Sequence, residues 1–133
     1  MNNIKAGINL MGGVITATLT YFLGGMDLIL SILLAVIVID YATGLINAIC
    51  KGELSSEVGY KGIAKKIGIL AVVALAHLIG LLTGVMGIRS LAIGFYIANE
   101  GISILENVGS LGIPFPKKLI NILKQLKDDS DPE

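Results

Sequence analysis

Asp40, His77 and Glu100 stand near the middles of three otherwise apolar stretches, 28–50, 67–88 and 90–111. An acidic group at the centre of a bilayer costs about 2.5–3.5 kcal/mol on insertion scales, so such residues mark a polar contact between helices or a route for water and ions. Their neighbours extend the pattern. Tyr96, Glu100, Ser103, Asn107 and Ser110 follow at steps of 4, 3, 4 and 3, which places them on one face of a helix. Asp40, Thr43 and Asn47 repeat that spacing, as do Asn9, Gly13, Thr16 and Thr20 in a fourth stretch, 6–26. Facing one another, such stripes hold helices together at about 0.6–2 kcal/mol per contact. Facing water, they line a lumen. The sequence leaves both readings open. Catalysis finds no support: there is no HExxH, no GxSxG and no pairing of a nucleophile with a base. The single cysteine, Cys50, has no Cys/His cluster around it, so neither a metal nor a cofactor is expected.

The elements that must position these residues follow from composition. Of 133 residues, 54% are hydrophobic and only 15% charged, where a soluble domain carries about 25% charged residues. A small all-α integral membrane protein with three to four transmembrane helices is expected, and four spans are preferred. Those at 6–26 and 67–88 contain no charge, and those at 28–50 and 90–111 must accept Asp40 and Glu100. Each is long enough for a core of about 30 Å. A leader peptide is not expected, because Gly12, Gly13 and several threonines interrupt the first apolar stretch. The balanced charge, ten basic against ten acidic residues, predicts no attraction for nucleic acid.

With both termini in the cytoplasm, nine lysines lie inside and only Arg89 outside, the asymmetry that orients membrane proteins. The sizeable loop, 51–66, is then cytoplasmic. After Pro114 and Pro116, segment 117–127 places Leu119, Ile122, Leu123 and Leu126 at helical spacing, with Lys117, Lys118, Lys124 and Lys127 on the other side. This is a basic amphipathic helix suited to an anionic leaflet, or to packing within an assembly. The acidic end, 128–133, is expected to be disordered. Gly80 and Gly84 form a GxxxG pair, and Gly13/Ala17, Gly44/Ala48 and Gly94/Ala98 are similar small pairs, all favouring close helix packing and association with further copies.

From Asp40 onward, runs of residues resemble a known family. Asp40-Tyr41-Ala42-Thr43-Gly44 leads to Gly62-Ile63-Ala64-Lys65-Lys66. Further on come Asn99-Glu100-Gly101-Ile102-Ser103-Ile104-Leu105-Glu106-Asn107 and Gly112-Ile113-Pro114-Phe115-Pro116. The chain is similar here to the phage lysis and toxin-secretion holins of Gram-positive bacteria and their phages. That resemblance implies oligomers in the cytoplasmic membrane that open lesions, with an endolysin or a toxin as functional partner, and it implies no catalytic residue. Two other readings stand beside it: a small four-span transporter, which fits the midplane carboxyls, and a regulatory partner, either an antiholin or a membrane adaptor working through the basic tail.

Overall fold

The computed structural model describes residues 1–130. It consists of five helices: α1 (Asn2–Phe22), α2 (Leu28–Cys50), α3 (Ser56–Thr83), α4 (Ile88–Ser110) and α5 (Lys117–Ser130). Among the described residues there is no strand. Local chemistry sets the helix ends. The Asp27 side chain accepts the Leu30 N–H at 3.1 Å and so caps α2. Ser55 does the same for α3 through Val58 N–H, also at 3.1 Å. Past α2, Gly52 turns left-handed and Glu53 N–H reaches back to Ala48 O at 2.9 Å, closing the helix end.

Two helices, α2 and α3, are long and apolar enough to cross a membrane. They build the core with α4. Leu30, Leu33 and Ile37 from α2 meet Ile69 and Val73 from α3 and Ile93 from α4. The register is legible from side-chain contacts: Arg89 bonds Asp27 at one end, and Asn107 bonds Asp40 further along, so α2 and α4 run parallel. α3 runs antiparallel to both. α4 packs along α2 and on α3, whereas α2 and α3 meet at few points, mainly where Tyr41 lies over Gly62. In lipid such an apolar core gains little from the hydrophobic effect, so packing and polar contacts decide how these helices associate.

Several features depart from the expectations above. α3 begins at Ser56, so the loop after α2 is short and Lys66 lies inside a helix instead of beside one. The helix stops at Thr83, not at residue 88, because Gly84 adopts φ +71° and ends it. Gly84 is therefore a helix stop, and within one copy Gly80 touches only its own following turn. The last helix runs on to Ser130, into the first three residues of the segment expected to be disordered, where Gln125 Nε2 donates to Asp129 at 2.9 Å. Residues 131–133 lie outside the described residues. Most consequentially, α5 folds back along α4. Gly101 has no Cβ to keep Leu123 away, and Lys127 Nζ donates to Asn99 Oδ1 at 3.0 Å beneath the Phe95 ring. α1 buries no residue and touches only α3.

Candidate functional site

The two acidic residues that the sequence places near mid-span meet through a shared lysine. Asp40, from the middle of α2, and Glu100, from the middle of α4, are 6% and 4% exposed, the deepest charged groups among the described residues. Between them lies Lys66 of α3, whose Nζ donates to Asp40 Oδ2 and to Glu100 Oε2. One ammonium thus bridges two carboxyl groups from two other helices. In a medium of low dielectric this contact is strong, and stripping it of one member leaves a desolvated charge behind.

The polar stripes complete the site. Asn107, two turns beyond Glu100, donates through Nδ2 to Asp40 Oδ1 at 3.1 Å and to Thr43 Oγ1 at 3.0 Å. Asp40 therefore receives both a lysine and an amide. Gly44 lies beneath Asn107, where a Cβ would meet Nδ2 at 3.6 Å. Next to this cluster a cleft of about 200 Å³ is lined by Asp40, Lys66, Ser103 and Asn107, with Tyr41 and Gly62 at the α2–α3 seam. Tyr41 closes that seam by donating to Gly59 O at 3.2 Å. Its ring leaves no room for a side chain on Gly62, where a Cβ would lie 2.9 Å from Cε2.

Not every expected residue takes part. Tyr96 packs against the apolar core. Asn47 lies a turn past Thr43, its Oδ1 buried without a hydrogen-bond partner. Ser110 is exposed at the end of α4, and the α1 stripe of Asn9, Gly13 and Thr16 faces outward. His77 is a correction: it lies away from the carboxyl pair, against Gly24 at the far end of the bundle. α3 runs antiparallel to α2 and α4, so the cation that reaches the depth of Asp40 and Glu100 is Lys66, eleven residues earlier. Lys66 is the group that reading the spans one at a time missed. Two buried carboxyls on neighbouring helices demand a cation, and Lys66 borders the uncharged run 67–88.

A second polar clasp holds the opposite end. Arg89 Nε donates to Leu23 O at 2.6 Å, Nη1 to Asp27 Oδ2 at 2.7 Å and Nη2 to Gly25 O at 2.9 Å. The start of α4 is thereby tied to the α1–α2 turn. Gly24 permits this through φ +88°, for a Cβ there would lie 2.4 Å from Arg89 Nε. The Arg89 guanidinium, aided by the Leu30 N–H, holds the Asp27 carboxyl below its usual range. A carboxylate depressed in the folded state adds stability above its unfolded pKa, near 3.9, and loses it as pH falls through the folded value. Acid titration of unfolding in detergent is therefore expected to show a component, setting in below about pH 4, that Asp27→Asn lacks. Identical wild-type and Asp27→Asn profiles would mean that the clasp adds nothing.

Among the described residues, no three His, Cys, Asp or Glu side chains cluster as a metal site would require. A family model described as the bacteriophage holin family matches residues 17–128. An uncharacterised protein of Halalkalibacterium halodurans is 39% identical over 132 residues, covering 95% of this chain and 98% of that one. A 14.9 kDa protein of Clostridium perfringens, encoded in the nagH 3′ region, is 43% identical over 130 residues, 96% of each chain. A probable holin of Bacillus phage phi105 is 34% identical over 103 residues, 77% of this chain and 76% of that one. No solved structure matches the chain.

Proposed function

Because the chain belongs to the bacteriophage holin family, we propose that it acts as a holin: it assembles with further copies in the bacterial cytoplasmic membrane and opens lesions that release an endolysin or a toxin, ending in timed lysis. The observation that carries this reading is the family match across residues 17–128, which takes in all three helices of the charged cluster. The phage phi105 relative, named a probable holin, points the same way. The role is non-enzymatic, with no cofactor.

The geometry suggests how a closed form could be held. In one copy, Lys66 ties α2 to α3 and α4, and Asn107 ties α4 back to α2. These polar groups satisfy one another, so a single copy inserts without a water-filled channel. Assembly would then open the lesion between copies, with these contacts kept inside each one. Four crossings, with the N-terminus and the end of α4 in the cytoplasm, are the topology we favour, with α1 and α4 joining the two helices that pass the length and apolarity test.

The test is to induce this chain alone in a bacterial host while following membrane potential and culture density. A silent interval, then sudden depolarisation and loss of viability, is expected. Supplying an endolysin that lacks a secretion signal should turn that death into lysis. Steady growth with the protein confirmed in the membrane would overturn the proposal in favour of an antiholin, or of a transporter if solute accumulation changes.

A further inference from the structure

We infer that α5 stays on α4 at membrane depth and turns its lysine-bearing outer face to water, so that the α4–α5 hairpin lines the aqueous space of the assembled protein while the Asp40–Glu100 seam stays inside each copy. This rests on the holin reading for the assembly, but the placement of α5 follows from register. α2 crosses the membrane, and α4 runs parallel to it, paired at Arg89–Asp27 and again at Asn107–Asp40. α4 therefore occupies the same depth. The chain climbs α4 in three steps, each at a glycine: Phe115, just before α5, against Gly109, then from α5 Leu123 against Gly101 and Ser130 against Gly94. It passes the level of Glu100 and ends near the far side.

A helix at that depth cannot turn this surface to lipid. Lys117, Lys118, Asn121, Lys124, Gln125, Asp128 and Asp129 all point away from α4 and are exposed. Each lysine or aspartate facing the bilayer centre would cost about 2.5–3.5 kcal/mol on insertion scales. The side toward α4 is anchored, by Leu123 in the space above Gly101 and by Lys127 on Asn99. The remaining flank, Leu119, Ile122 and Leu126, is apolar and open. It lies beside the lysine face, where a neighbouring copy around a common lumen would cover it.

The experiment uses the full chain with Cys50→Ser, purified and returned to liposomes of anionic and zwitterionic lipid. A Gly94→Cys/Ser130→Cys pair locks α5 to α4 by an oxidised disulfide, and a separate Gln125→Cys variant reports water at the outer face, with Val38→Cys on the exposed side of α2 as a lipid-facing control. The disulfide is expected to form in the membrane, the locked protein to release trapped dye as the reduced protein does, and Gln125→Cys to react with a charged thiol reagent while Val38→Cys does not. Failure of the disulfide to form would overturn the inference, because α5 then lies on the leaflet. Loss of dye release on locking, restored by reductant, would overturn it too, since α5 would have to leave α4. Should the unlocked protein release no dye at all, the lesion reading fails instead, and the disulfide and Gln125→Cys labelling still decide whether α5 faces water at depth.

Discussion

Lys66→Met is expected to destabilise the folded chain by about 3–5 kcal/mol, the cost typical of breaking a buried ion pair by removing one partner. The methionine fills much of the lysine stem, so little of the loss comes from packing. What remains is a pair of carboxyl groups, each nearly sealed from solvent, with no cation between them. The companion variant decides the cause. Lys66→Met combined with Asp40→Asn and Glu100→Gln removes all three charges while keeping their shapes, and replacing a buried ionic cluster as a whole is often neutral or stabilising. Reversible unfolding in mixed detergent micelles should therefore place the triple variant close to wild type and the single variant far below it. A single variant as stable as wild type would show that the lysine does not hold the three helices together.

The next largest effect is expected at Gly24. Gly24→Val forces a β-branched residue into left-handed backbone, about 1–2 kcal/mol, and drives its Cβ into Arg89 and His77. The guanidinium must then leave Leu23 O, Gly25 O and Asp27, each charged hydrogen bond being worth about 1.5–3 kcal/mol. Together these should cost at least about 3 kcal/mol. Gly25→Ala serves as the reference, since Gly25 also has positive φ but an added Cβ there meets nothing within 4 Å. The same unfolding measurement should find Gly24→Val much less stable than Gly25→Ala. Equal losses in the two would leave only backbone strain and remove the clasp from the account.

Much of this was written in the sequence, though unevenly. The positions of α2 and α4 follow from apolar runs bounded by Asp27, Cys50 and the glycines near 87 and 112, and the structure has helices there. Helical spacing put Asp40 with Thr43, and Glu100 with Asn107, on single faces but left open whether those faces meet; in the structure Asn107 joins Asp40 and Thr43. What spacing along one helix does not encode is depth across helices. His77 looked level with the carboxyls because each span was centred separately, while the antiparallel course of α3 brings Lys66 to them. The start of α3 was obscured by its charged first turns, where Glu57 and Lys61 form an exposed ion pair at 2.6 Å that suits helix as well as loop. α5 was legible as an amphipathic helix but not as a partner of α4. Its docking depends on glycines at 94, 101 and 109, which in sequence look like ordinary small residues of a membrane helix.

The bridge between Asp40, Lys66 and Glu100 also sets an order of events during synthesis. Lys66 leaves the ribosome 26 residues after Asp40, and Glu100 another 34 later. At about 5–20 residues per second, Asp40 waits roughly one to five seconds for its first partner. During that interval a lone carboxyl group would sit in the bilayer without its counter-ion. Entering as a helical hairpin, α2 with α3, brings the aspartate and the lysine in together, whereas threading one helix at a time does not. The charge pattern that closes the finished bundle thus also favours α2 and α3 as the unit of insertion, with α4 arriving afterwards onto a pair whose ammonium is already in place.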